Sequence, residues 1–111
     1  MKLLAKNYFP VIFVASVLAS CQQPYHQPEE HYIFVASNTS VPYWQEAAAG
    51  LSDSATQMGV KAELTGPAGF SLREELTAFQ QAVAQKPDGI LVSASNADSF
   101  EAPINAAIAQ K

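Results

Sequence analysis

Two short polar stretches hold most of the side chains that could do chemistry. The first, Ser37-Asn38-Thr39-Ser40-Val41-Pro42-Tyr43-Trp44, sets an amide close before two large rings. The second, Ala94 to Ser99, carries Ser95, Asn96 and Asp98. A polyhydroxylated small molecule needs rings to pack on its C–H faces, and amides and a carboxylate to pair with its hydroxyls. Asn38, Tyr43, Trp44, Asn96 and Asp98 are therefore the candidate ligand-binding residues, with Phe70 and Ser95 as neighbours.

Other chemistries lack their residues. His26 and His31 stand in a proline-containing stretch with no third ligand nearby, whereas a metal site needs three or four that converge, so no metal is expected. There is one cysteine, no Gly-x-Ser-x-Gly and no cluster of acid, base and nucleophile, which argues against an enzyme. Gly66 and Gly69 flank a proline loop, but neither the dinucleotide fingerprint nor a Gly-Lys-Ser/Thr ending is present, so no cofactor is expected and the loop is a connector.

The elements that must position the polar stretches follow from periodicity. Tyr32 to Ala36 is short, apolar and β-branched, as a buried strand is. Pro42 then opens a helix through Met58, since the first helical turn has no use for the missing N–H. Trp44, Ala48, Leu51, Ala55 and Met58 form its stripe, and Gly59 supplies a left-handed stop. Val60 to Leu64 alternates with charge, which suits a strand near a sheet edge. Ser71-Leu72-Arg73-Glu74 has the form of a capping box, and Leu72, Leu76, Phe79 and Val83 run down the helix it starts. Glu74, Glu75, Gln80 and Gln81 lie off that stripe and are expected in solvent. Pro87-Asp88-Gly89 turns the chain into a third buried strand, Ile90 to Ser93. A final helix, capped by Asp98 or Ser99, places Phe100, Ile104, Ala107 and Ile108 on one face, with Pro103 in or near its first turn.

Strand and helix thus alternate three times, which predicts an α/β fold: a parallel sheet with helices on both faces, β-α-β-α-β-α, joined by right-handed crossovers. In such a sheet every strand-to-helix junction opens on the same edge, so the two polar stretches and Phe70 are expected to meet.

The N-terminus has a separate logic. Lys2 and Lys6 precede an apolar run from Tyr8 to Ala19, too short to span a bilayer and of the size of a secretory signal. Its end, Leu18-Ala19-Ser20-Cys21, resembles the lipobox of bacterial lipoproteins. Residues 1–20 are read as a lipoprotein signal peptide and Cys21 as the lipidation site, which would hold the protein on a membrane. Residues 21–31, with two prolines and no periodicity, read as an extended tether. From Cys21 onward there are four Lys/Arg and ten Asp/Glu, a net charge of −6. So acidic a body has no face for nucleic acid.

These residues carry a resemblance. Ile33-Phe34-Val35-Ala36-Ser37-Asn38, Pro42-Tyr43-Trp44, Ala48-Ala49-Gly50-Leu51, Met58-Gly59-Val60, Phe79-Gln80-Gln81-Ala82-Val83 and Lys86-Pro87-Asp88-Gly89-Ile90-Leu91-Val92 together resemble the beginning of a type 1 periplasmic sugar-binding protein, the ribose-binding-like receptors of ABC importers. The resemblance covers residues 32–111 and implies the first half of the N-terminal lobe of a two-lobe receptor, with the sugar held between lobes. The alternative for so short a lobe is completion by a dimer partner. The resemblance also implies that Tyr43 and Trp44 are the stacking pair. Val41 stands where relatives often carry an asparagine, a polar role that Asn38 is suited to take.

The function implied is that of a substrate-binding lipoprotein delivering a sugar to an ABC permease in the membrane, on the extracytoplasmic face of the cell envelope. A sensory receptor of the same fold, read by a signalling partner in place of a permease, is the alternative. A repressor with this ligand fold is excluded, because a signal peptide occupies the place of its DNA-binding helices.

Overall fold

A computed structural model describes residues 25–110. The stretch read as a signal peptide, Cys21 and the first residues of the expected tether fall outside that range. Three strands, β1 (His31–Val35), β2 (Lys61–Thr65) and β3 (Gly89–Val92), alternate with three helices, α1 (Pro42–Met58), α2 (Leu72–Ala84) and α3 (Ala97–Ile108). All strand pairs are parallel and the order is β2-β1-β3, so β2 lies at an edge, as its alternating charge predicts. Each strand is offset by one residue from its expected span, and His31, placed in the tether, pairs with Lys61 at the start of β1.

β1 divides the molecule. Ile33 and Val35 are fully buried and face Ala78, Phe79 and Ala82 of α2 and Phe100 of α3, while Ile90 and Val92 close the flank. Phe79 and Phe100 meet edge to face at 5.7 Å. Removing each of these large side chains from water contributes roughly 1.5–3 kcal/mol. Phe34 alternates to the opposite face, where α1 packs over β1 and β2 through Trp44. Helices therefore cover both faces, as a doubly wound sheet requires.

Three helix ends form as the sequence indicates. Val41 precedes α1 in extended conformation and Pro42 begins it; at the other end Gly59 (φ 70°, ψ 31°) turns left-handed, and the Gly59 and Val60 N–H groups reach Thr56 O and Ala55 O. Ser71 Oγ accepts from Glu74 N–H at 3.4 Å and caps α2.

Other expectations are corrected. The buried face of α2 is centred on Glu75, Ala78, Phe79 and Ala82, which leaves Leu72 exposed, and Met58 is likewise exposed at the end of the α1 stripe. β3 is not wholly buried: Leu91, in register with Phe34, lies 47% exposed because α1 sits over β2 and leaves this part of the sheet bare. Asn96, not Asp98 or Ser99, caps α3, so the helix begins earlier than its apolar periodicity and Pro103 falls inside it. Ile108, on the expected apolar face of α3, is exposed.

At the amino edge of the sheet the stretch read as an extended tether folds into a turn, with Glu30 N–H bonded to Gln27 O. The Glu30 carboxylate takes hydrogen bonds from Gln27 N–H (2.9 Å), His26 Nδ1 (2.8 Å) and the Tyr32 hydroxyl (2.9 Å). These donors, the Gln27 amide foremost, hold its carboxyl below the usual carboxylate range, and the same carboxylate raises the Tyr32 hydroxyl above that of an ordinary tyrosine.

Candidate functional site

The strands end level. Val35 is in register with Thr65 on one side and with Val92 on the other, so the loops that follow all leave from one edge. The chain winds from β1 to β2 in one direction and from β2 to β3 in the other, which places the switch point between β1 and β3. In open α/β sheets ligands bind in the crevice at that point.

The loops are tied to one another there. Ser37 N–H donates to Ser93 Oγ at 2.9 Å across the switch point, next to the Ser93 N–H to Val35 O bond. On the other side Thr39 donates twice to Pro67 O, from its N–H at 2.8 Å and its hydroxyl at 3.1 Å. The loop between β2 and α2 thus braces the first junction as well as connecting elements. Gly66 makes that possible: at φ 144° it lies so close to β1 that a Cβ would meet Ala36 O at 2.1 Å.

Tyr43 and Trp44 stand at the start of α1, which the Trp44 N–H to Val41 O bond closes. Tyr43 is 71% exposed, whereas Trp44 is half-buried. Their rings meet edge to face, centroids 4.8 Å apart, so Trp44 supports a ring that is otherwise open to solvent. Asn38 is enclosed at 5% exposure, and its Oδ1 accepts from Ser40 N–H at 2.9 Å. Its first task is therefore to hold the turn that leads into α1.

At the third junction Asn96 Oδ1 accepts from Ser99 N–H at 2.9 Å, which leaves the amide NH2 of this exposed residue as a donor at the edge. Asp98 is exposed in the first turn of α3. Phe70, at 77% exposure, projects from the second junction. The residue that sequence reasoning misplaced is Glu75: expected in solvent, it is 1% exposed, and its carboxylate accepts from both the N–H (3.2 Å) and the hydroxyl of Ser95. No local pattern reveals that partner, twenty residues away.

His26 and His31 pair with different carboxylates, Glu30 and Glu63, and among the described residues no three His, Cys, Asp or Glu side chains converge. The edge is thus an open surface with two exposed rings, an amide donor and a carboxylate. Such a surface can stack on and hydrogen-bond an uncharged, hydroxyl-rich molecule.

Residues 32–111 match the model of a family described as a periplasmic binding protein domain. In fold the chain is similar to an ABC transporter solute binding protein from Agrobacterium vitis bound with α-D-tagatopyranose, with a TM-score of 0.71 and 17% identity over 74% of this chain and 28% of that one. It is similar also to GanP, a glucose-galactose binding protein from Geobacillus stearothermophilus, with a TM-score of 0.54 and 31% identity over 56% of this chain and 22% of that one. The chain therefore spans 28% and 22% of the lengths of these two proteins. No curated protein sequence matches it significantly.

Proposed function

Because the chain belongs to the family of periplasmic binding protein domains, we propose that it is the substrate-binding part of an ABC importer and takes a sugar or a similar polyhydroxylated solute. Binding, not catalysis, is the family's role, and its place is outside the cytoplasm. The observation that carries the reading is Tyr43, an exposed ring on the level carboxyl edge, supported from the side by Trp44. A pyranose would lay its C–H face on that ring, while the Asn96 amide donates to one hydroxyl and the Asp98 carboxylate accepts from another. The tagatose-bound and glucose-galactose-binding proteins of similar fold support the ligand class.

In this reading residues 32–111 form part of one lobe, a second lobe supplies the opposite wall, and closure over the sugar is what a membrane permease recognises. Cys21 carries the lipid that keeps the receptor at the membrane, after removal of residues 1–20. Calorimetric titration of the full-length protein with D-glucose, D-galactose and D-tagatose tests the ligand class. Saturable binding of at least one is expected, and heats indistinguishable from dilution for all three would overturn it. Labelled palmitate tests the anchor: it should enter the wild type and not Cys21→Ser, and equal labelling of both would remove the anchor from the account.

A further inference from the structure

We propose that Glu75 is a positioning residue for the ligand edge, holding the β3–α3 loop in place through Ser95; the inference rests on the sugar-binding reading above. Glu75 occupies the core-facing stripe of α2, beside Ala78, Phe79 and Ala82. Those neighbours are what packing against β1 calls for. A carboxylate at such a place is costly unless its oxygens are paired. Here both oxygens go to a single residue, Ser95, one accepting from its N–H and the other from its hydroxyl.

Ser95 itself is exposed, so it gains nothing from burial, and it directly precedes Asn96. Fixing the Ser95 backbone fixes where Asn96 begins α3, and with it the direction of the Asn96 amide and of Asp98 in the first turn. The other end of the link is rigid, because Ala78, Phe79 and Ala82 seat α2 on β1. Glu75 therefore references the loop to the centre of the sheet, and touches no ligand itself. A loop held from the core presents its polar groups already oriented, which lowers the ordering cost of binding.

The test compares three variants of the full-length protein by sugar titration and by amide hydrogen exchange at Ser95. Glu75→Leu fills the same space but leaves Ser95 without partners. It should lose sugar affinity roughly tenfold or more, as a loop released from its anchor must be ordered again on binding, with faster exchange at Ser95 and unchanged helical circular dichroism. Glu75→Gln should keep affinity within about twofold of wild type, since its carbonyl can accept from the Ser95 N–H while its NH2 donates to the Ser95 hydroxyl oxygen. Ser95→Ala removes one of the two bonds from the exposed side without disturbing the core, and should weaken binding several-fold.

Wild-type affinity in Glu75→Leu, or in Ser95→Ala should Glu75→Leu fail to fold, would overturn the proposal. So would a loss in Glu75→Gln as large as in Glu75→Leu with Ser95 still protected. If the wild type binds none of D-glucose, D-galactose and D-tagatose, the sugar reading fails by itself. The exchange arm then still decides whether Glu75 holds the loop.

Discussion

Trp44 meets Phe34 edge to face across the seam between α1 and β1, with ring centroids 5.6 Å apart and planes at 83°. The indole is thus engaged with the sheet and also meets the ring of Tyr43, which is otherwise open to solvent on the proposed ligand edge. Truncating Trp44 removes the packing and the support together. Trp44→Ala should lower the stability of the unliganded protein by about 2–3 kcal/mol, less than truncating a wholly buried ring, and should weaken sugar binding as well. Paired urea denaturation and sugar titration measure both, and a variant of unchanged stability would show the contact to be idle.

Tyr43→Ala separates the two effects. The side chain is 71% exposed, so its loss should leave the melting temperature nearly unchanged. Sugar affinity of the full-length protein should fall by roughly 1–3 kcal/mol, as loss of an aromatic platform does. Wild-type binding by Tyr43→Ala would mean that this junction is not the site.

Gly66→Ala should be among the most damaging small substitutions. The new methyl would sit 2.1 Å from Ala36 O, and the backbone at φ 144° suits glycine alone. The strand cannot easily retreat, because the Ala36 N–H is bonded to Thr65 O at 2.8 Å. A loss of about 2 kcal/mol or more, read from the urea midpoint at constant slope, is the expected result. A change below about 0.5 kcal/mol, the range of neutral surface substitutions, would contradict it.

Asn96 has two duties that substitution can part. Asn96→Ala should lose about 1 kcal/mol of stability with the helix cap, and ligand affinity with it. Asn96→Asp keeps an oxygen for the Ser99 N–H and so should keep stability, but it has no NH2 to donate and should still bind sugar more weakly. Equal affinity of Asn96→Asp and wild type would remove the amide from the site.

Glu30 gives stability a dependence on acid. Its folded carboxyl titrates below the ordinary glutamate value of 4.5, so the group binds its proton more readily in the unfolded chain. Its contribution is therefore fully present above pH 4.5 and is lost as pH falls through the lower folded value. Glu30→Gln should be less stable than wild type at neutral pH, and the gap should narrow on acidification. A gap that stays constant down to pH 3 would rule out this role.

The fold was legible because each strand is a compact apolar or alternating run and the first two helices have a start, a stop or a cap written locally: Pro42, Gly59, Ser71. What the sequence conceals is anything that crosses elements. The α2 stripe reads as Leu72, Leu76, Phe79 and Val83, but the buried centre lies nearer Glu75 and Ala78, because a carboxylate looks solvated until Ser95 is known to face it. Leu91 reads as core, and only the position of α1 over β2 explains its exposure. The start of α3 was obscured because Ala97, Asp98 and Ser99 lie on no apolar stripe. At the proposed site the rings could be picked out as candidates by type and spacing. The Ser37–Ser93 tie joins residues 56 positions apart, and its members look like any loop serines.

The strand order β2-β1-β3 also sets a sequence in time. β1 is made first yet lies in the middle, and its pairing with β3 cannot be finished until Val92 exists. At roughly 5–20 residues per second of synthesis, one side of β1 stays unpaired for several seconds after the strand is complete. The first strand made thus gains its second partner only when the last is complete, so the described sheet waits on nearly the whole described chain.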